Sequence, residues 1–173
     1  MLRPRGWNRR PRLLFREGVA SALGLVTFLA VPHTAQAAAP DSGTFSFTEN
    51  IVDEDVCRPE GFAVDASITE SGSYRVLFNP DGSIKQVIVY VDFVATISAN
   101  GKTIYERDRW QDFYYPDGSQ KRVGLTVHIK GPDGSIVQLD AGQIVFNADG
   151  TVASIHGPHP QFEGQTFCFA LLP

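Results

Sequence analysis

Apolar and polar residues alternate along several stretches of the chain, most clearly between positions 84 and 98. A period of two places every second side chain on the same face of a β-strand. One face of this segment is apolar throughout, and it consists of Val87, Val89, Val91, Phe93, Ala95 and Ile97. Ile88, Tyr90 and Val94 partly cover the other face. We therefore predict a central strand of the sheet.

A second alternating stretch lies between positions 122 and 130. Its apolar residues are Val123, Leu125, Val127 and Ile129, and they alternate with Arg122, Gly124, Thr126, His128 and Lys130. The pattern predicts a strand with one buried face and one solvated face. Further strands are predicted at 43–48, 61–69, 73–79, 103–113, 136–147, 151–156 and 165–171. The total is eight or nine strands, and no sustained helical period accompanies them.

Short turn sequences separate these strands. They are NPDGSI (79–84), ANGKTI (99–104), YPDGSQ (115–120), GPDGSI (131–136) and NADGTV (147–152). Asp bonds back to the backbone in such turns, and Gly adopts the positive φ that closes a hairpin. Hairpins at this regular spacing predict an up-and-down meander. Closure removes exposed edges, so we predict an all-β fold, an antiparallel β-barrel of about eight strands, with a β-sandwich as the alternative.

The first 37 residues have the layout of a signal peptide. A basic stretch precedes an apolar run at 18–31, and Ala35 and Ala37 provide small residues for cleavage. Arg9-Arg10 leaves the twin-arginine and general secretory routes both open. The run is too short for a membrane-spanning helix, so we expect no stable membrane insertion after cleavage. The expected organisation is a signal peptide (1–37), a short flexible linker (38–44) and one domain (45–173), secreted to the extracellular side.

Charge changes the picture once the signal is removed. Six of the fifteen basic residues and one of the nineteen acidic residues lie in 1–37, which leaves nine basic and eighteen acidic residues. An acidic surface repels the phosphates of nucleic acids and anionic lipids. We therefore expect no nucleic-acid partner.

The only two cysteines, Cys57 and Cys168, both lie in the expected mature chain. An even count in an exported protein favours a disulfide. The alternatives are a nucleophilic thiol or a metal ligand, but neither cysteine has a C-x-x-C partner or a nearby histidine.

Two acidic or histidine-containing stretches are weak candidates for a metal site. ENIVDEDVC (49–57) contains Asp53 and Asp55 but lacks the order of a calcium loop, and IHGPHP (155–160) contains His156 and His159 beside helix-breaking residues. We favour an edge strand for the first, whose charges discourage pairing between sheets, and a turn for the second. No metal or other cofactor is expected.

YERDRWQDFYYPDG (105–118) is the best candidate for a recognition surface. Aromatic residues and arginines are enriched in binding hot spots. The segment supplies Arg107, Arg109, Trp110, Phe113, Tyr114 and Tyr115. If Tyr105 and the arginines pointed into a barrel, they would suit an anionic ligand with an apolar body. Alternatively, the arginines pair outside with acidic neighbours and the aromatic rings close the end of the barrel.

The sequence contains no nucleophile elbow, phosphate-binding loop or zinc-protease motif. We therefore expect a non-catalytic barrel that binds a small apolar or anionic ligand. An extracellular structural or interaction module and a barrel-type isomerase or cyclase are the alternatives.

The combination of ENIVDEDVC, ANGKT, GPDGSIVQLDAGQIVF and TFCFALLP resembles a family of exported proteins of high-GC Gram-positive bacteria to which no activity is assigned. The resemblance covers most of 45–171 and implies secretion and paired cysteines. The turn and strand pattern is also distantly similar to the β-barrel of allene oxide cyclases and dirigent proteins. That second resemblance implies a fold, not a function.

Overall fold

A computed structural model describes residues 40–164 and 166–173. Its seven strands form one antiparallel sheet, each paired with its neighbours in sequence. The strands are β1 (Asp41–Asp53), β2 (Val64–Phe78), β3 (Ile84–Ala99), β4 (Lys102–Tyr114), β5 (Gln120–Lys130), β6 (Ile136–Phe146) and β7 (Val152–His156). The predicted all-β antiparallel meander is confirmed. Since all strands of the described chain lie in one sheet, the sandwich alternative is wrong.

The sheet has two edges, β1 and β7, which do not pair with each other within the described residues. The expected signal peptide (1–37) lies outside these residues. β1 begins at Asp41, four positions before the expected start of the domain at 45. The acidic stretch is part of this edge strand and the loop after it, as predicted. No helix in the described part of the chain is long and apolar enough to cross a bilayer.

The Asp-Gly turns close four hairpins in the same way. After β2, the Asn79 N–H donates to the Ser83 carbonyl at 2.8 Å, and Asp81 Oδ1 accepts from the Ser83 N–H at 2.9 Å. The same Asp contact recurs in the turns at Asp117, Asp133 and Asp149. The remaining tight turn is formed by Asn100 and Gly101, both with positive φ. The predicted turns are therefore confirmed.

Two strand predictions are wrong. Segments 61–69 and 73–79 belong to one strand, β2, because Gly72 pairs with Val91 without a break in the ladder. The strand predicted at 165–171 does not form, since Phe167–Leu171 is a 3₁₀ helix. The count in the described chain is therefore seven strands instead of eight or nine.

The two faces of the sheet differ in burial, and we call the better buried one the inner face. β3 contributes its apolar series to it, with Val91, Ala95 and Ile97 all less than a tenth exposed. This part of the sequence prediction is confirmed, and β3 is an interior strand. β5 departs from its predicted alternation, because register shifts opposite both neighbours interrupt it. Before the irregularity the even-numbered Arg122 is buried on the inner face, and beyond it the odd-numbered Ile129 is buried on that same face.

The hydrophobic core covers only half of the inner face. There the C-terminal segment, residues 158–164 and 166–173, packs on the sheet through Cys168 and Leu171. The buried core residues are Cys57, Val64, Ala66, Ala95, Ile97, Ile104, Ile129, Cys168 and Leu171. A disulfide joins Cys57, in the loop after β1, to Cys168, as predicted. We call this part the covered half, and the part nearer the turns at 79–83 and 115–119 the open half.

Gly124 and Gly142 are paired neighbours on β5 and β6, and both adopt φ near +140°. A Cβ at Gly142 would lie 2.0 Å from the His156 carbonyl oxygen, and one at Gly124 would lie 2.5 Å from the Arg109 carbonyl oxygen. At each glycine, the backbone of a neighbouring strand therefore occupies the space that a side chain would need. Glycine at such positions permits the bends that curve a sheet.

Replacing Gly142 by alanine should lower the free energy of unfolding by more than about 2 kcal/mol. The new Cβ would collide with the His156 carbonyl, and alanine would also be strained at this positive φ. The matched control is Gly134→Ala, at a turn glycine with φ +82° and no atom within 4 Å of a new Cβ. That change should cost only about 1 kcal/mol. Urea denaturation followed by circular dichroism measures both. Equal losses would contradict the close approach at Gly142.

Candidate functional site

The six residues of the predicted recognition segment do not lie on one surface. Side chains alternate along β4, so Trp110 and Tyr114 lie on the inner face, with Asp108 and Asp112. Arg107, Arg109 and Phe113 lie on the outer face. Tyr115 begins the turn after β4, where its N–H donates to the Ser119 carbonyl at 3.0 Å.

The outer-face arginines are exposed. Arg109 pairs with Asp92 of β3, and both side chains are more than half exposed. Exposed ion pairs contribute about 0 to 1 kcal/mol. Across the same face, Lys121 lies 4.5 Å from the centre of the Phe113 ring. These contacts organise a solvated surface and place no arginine of β4 beside Trp110.

A buried polar cluster lies next to Trp110 on the inner face, and we call it the Asp112 cluster (Trp110, Asp112, Gln120 and Arg122). The Arg122 guanidinium donates to both Asp112 oxygens, at 2.7 and 2.6 Å. The indole N–H of Trp110 donates to Oδ2 at 2.9 Å, and the Gln120 amide donates to Oδ1 at 3.0 Å. Asp112 is only 3 % exposed. Four donors therefore hold this carboxylate in one orientation.

Register explains how the cluster assembles. Asp112 pairs with Arg122 across β4 and β5, and Trp110 pairs with Gly124 one step along. Since Gly124 has no side chain, the indole lies beside Arg122, whose guanidinium carbon is 4.7 Å from the ring centre. The bidentate pair and the cation–π contact fix the guanidinium on two sides.

Tyrosine and glutamate side chains surround the cluster. Burial, then the nearby Asp112 carboxylate, raises the pKa of Tyr114 to about 12, so its hydroxyl keeps its proton at neutral pH. Burial also raises the pKa of Glu70, an effect that Arg122 opposes. Glu70 of β2 therefore interacts electrostatically with Asp112 of β4 and Arg122 of β5 across the inner face.

The open half retains exposed aromatic surface beside this cluster. Tyr74 and Tyr114 are on the inner face of β2 and β4, and they are 36 % and 39 % exposed. The half-buried Val87 and Val89 connect them, since Val89 pairs with both Tyr74 and Asp112. The result is an apolar floor with a fixed polar group at its centre.

A second polar group, the acid cluster (Glu106, Asp108, Gln138, Asp140 and His159), lies in the covered half. Burial raises the pKa of Glu106 to about 7, although a hydrogen bond with Asp108 opposes part of this shift. Burial, the Glu106 charge and the same hydrogen bond raise the pKa of Asp108 to about 9. The His128 N–H also donates to Asp108, at 2.6 Å. The two carboxyl groups therefore share a proton near neutral pH.

Asp140 and His159 belong to the same cluster and are almost fully buried. Burial raises the pKa of Asp140, while His159, Gln138 and the Gln161 N–H oppose the shift. These groups lie close to the carboxyl group, but neither Asp140 oxygen has a hydrogen bond of good geometry within the described residues. The same holds for both ring nitrogens of His159.

The weak metal candidates are separated in the structure. Asp53 Oδ1 accepts from the N–H groups of Asp55 and Val56, at 2.8 and 2.9 Å, and so caps a turn. His156 is exposed at the end of β7, whereas His159 is buried. The described residues contain no group of three or more His, Cys, Asp or Glu side chains arranged to hold a metal ion.

Sequence reasoning missed Asp112, Gln120, Arg122 and Glu70. The available signal was the spacing Trp110-x-Asp112-x-Tyr114, which puts a carboxylate between two aromatic residues on one face of a strand. Arg122 was assigned to the solvated face, because its burial depends on the irregularity of β5. Comparison with protein-family models, curated proteins and solved structures finds no match to this chain.

Proposed function

We propose that the open half of the inner face binds a small molecule with an apolar body and a neutral or cationic polar group. The sheet would act as an incomplete β-barrel that curves around this ligand, and the protein would act as an exported binding protein. The observation that carries the proposal is the Asp112 cluster, a buried and preorganised polar group at the centre of exposed aromatic surface.

The apolar floor supports this proposal because exposed aromatic residues with few convergent polar groups are typical of ligand sites. Tyr74 and Tyr114 each provide a large ring and a hydroxyl on the same face. Desolvation of these rings by a ligand would supply the binding free energy, while the polar groups would select its orientation.

The charge of the inner face supports a neutral or cationic ligand over an anionic one. Glu70 and Asp112 lie on the inner face here, Glu49 lies close enough to Glu70 to raise its pKa, and the Arg122 guanidinium is already bound to Asp112. The arginines that would favour an anion, Arg107 and Arg109, lie on the outer face. An anionic group would approach more carboxylates than cations.

The disulfide is compatible with an oxidising compartment, which supports the export part of the proposal. Free thiols are absent from the described residues, and the sequence contains no third cysteine. The expected signal peptide adds the second argument, from the sequence.

The binding site can be tested with two probes of nearly the same body and different charge. N-phenyl-1-naphthylamine is neutral, and its sulfonated relative anilinonaphthalene sulfonate is anionic. The neutral probe should bind with enhanced emission and quench or shift the fluorescence of Trp110. The anionic probe should bind at least about tenfold more weakly, which corresponds to about 1.4 kcal/mol.

Tyr114→Ala should weaken binding of the neutral probe at least about tenfold, because the ring forms part of the floor. The matched control is Tyr90→Ala, which removes an equally exposed ring from the outer face of β3. It should leave the affinity unchanged. Failure of the neutral probe to bind, or equal effects of the two substitutions, would reject the proposed site.

A further inference from the structure

β1 differs from the other edge of the sheet in length and composition. It extends over thirteen residues, whereas β7 has five. The sequence of β1, DSGTFSFTENIVD, contains no proline and no lysine, the two residues that most often protect an edge strand. The backbone N–H and C=O groups on the side of β1 away from β2 have no strand partner within the described residues. A long edge without proline or lysine is a template for pairing with another strand.

The side chains of β1 are complementary to a second copy of β1 in one antiparallel register. In this register residue Ser46 lies on a two-fold axis and faces Ser46 of the second copy. On the outer face, Thr44 then lies opposite Thr48. On the inner face, Phe45 lies opposite Phe47, so four phenylalanine rings meet around the axis. Aromatic and Thr–Thr pairs are favourable cross-strand neighbours.

The carboxylates of β1 disfavour the two nearest registers. Glu49 lies opposite Gly43 and Asp41 lies opposite Ile51, so no carboxylate faces another. A shift by two residues in one direction would put Asp41 opposite Glu49. A shift in the other direction would put Asp41 opposite Asp53. Like charges directly opposite destabilise a strand pair, so both shifts are disfavoured.

We propose that β1 is a homodimer interface, in which two copies of the chain pair residues 41–51 antiparallel around Ser46 and form one continuous sheet. A two-fold axis makes the interface isologous, so the complementary surface is the same strand. About ten main-chain hydrogen bonds would form, roughly one for each pair of residues in an antiparallel ladder. Exposed surface of Phe47 would be buried at the same time. Asp53 and the acidic residues after it lie beyond the paired stretch.

Equilibrium sedimentation of the purified oxidised protein tests the proposal first, and we expect a dimer at micromolar concentrations. The double variant Ser46→Lys/Thr48→Lys adds four ammonium groups to the shared edge and should raise the dimer dissociation constant at least about tenfold. The control is Thr69→Lys/Ser71→Lys. Thr69 and Ser71 pair with Thr48 and Ser46 from β2, so the same charges lie on the same face but off the edge. This control should remain dimeric.

A cysteine placed on the axis tests the register. Ser46→Cys should form an intermolecular disulfide under mild oxidation, because directly opposite Cα atoms are about 4.5 to 5.5 Å apart. Thr48→Cys should not, because the two introduced cysteines would be about 14 Å apart along the strands. A monomer at all concentrations, a dimer unaffected by the edge lysines, or crosslinking of the Thr48→Cys variant but not of the Ser46→Cys variant would each overturn the proposal.

Discussion

Replacing Cys57 and Cys168 together by alanine should lower the free energy of unfolding by about 4 to 5 kcal/mol. The disulfide links residues 111 positions apart, so it removes a large loop-closure entropy from the unfolded chain. Both cysteines are fully buried, and the substitution also leaves small voids in the core. Guanidinium denaturation monitored through Trp110 fluorescence measures the loss. Reduction of the wild-type protein should reproduce most of it.

The same variant should release the C-terminal segment before the sheet unfolds. Besides the disulfide and the packing of Leu171, hydrogen bonds hold the last residues of the segment, from the Asn100 amide to the Leu171 carbonyl, at 3.0 Å, and from Lys102 to the Leu172 carbonyl. Hydrogen exchange should therefore increase most in residues 166–172. A loss below about 1 kcal/mol with unchanged exchange there would show that packing alone holds the segment.

Stability should fall as the pH rises from about 5 to about 9, because the acid cluster binds protons more tightly in the folded protein. Burial raises the pKa of Glu106 to about 7 and that of Asp108 to about 9, above the values near 4 expected in the unfolded chain. The stabilisation is complete below the unfolded values and is lost as the pH rises through the folded ones. The expected loss is several kcal/mol, because each unit of difference in pKa between the folded and unfolded protein corresponds to about 1.4 kcal/mol.

Asp108→Asn should remove most of this pH dependence while keeping the acceptor for the His128 N–H. The amide stays neutral at every pH and can donate to Glu106, as the protonated acid does. Glu60→Gln, a change at an exposed carboxylate, is the control and should retain the wild-type slope. Urea midpoints across the same pH range give the comparison. Equal slopes in the wild-type protein and Asp108→Asn would contradict a shared buried proton.

Local sequence signals were sufficient for the turns and for β3. The Asp-Gly turns depend on contacts within five residues, and the apolar series of β3 is long enough to define a face. The cysteine pairing followed from their number. These features need no knowledge of distant parts of the chain.

The failures depend on tertiary context. Gly72 interrupts the apolar pattern of β2, yet the strand continues there because the Phe45 ring packs against the glycine and Val91 pairs with it. The apolar residues at 165–171 suggested a strand, but Phe167–Leu171 packs as a 3₁₀ helix on the core. No local pattern distinguishes these two ways of burying an apolar segment.

In the candidate site, too, some residues can be predicted from local sequence and others only from tertiary context. Trp110 and Tyr114 were recognised from their residue types, whereas Asp112 and Arg122 require the register of β4 and β5. One irregularity in β5 reverses which of its side chains are buried. The sequence alternation was real, but it could not reveal where the strand changes face.

The order of the strands has a consequence for biosynthesis. Each strand pairs with the one before it, so hairpins can add one after another as the chain is made, without waiting for distant partners. The exception is the link between Cys57 and Cys168, because the two cysteines are 111 positions apart and Cys168 follows β7. Oxidation must therefore follow synthesis of all seven described strands. With two cysteines only one intramolecular pairing exists, so maturation requires an oxidant but no reshuffling of mispaired thiols.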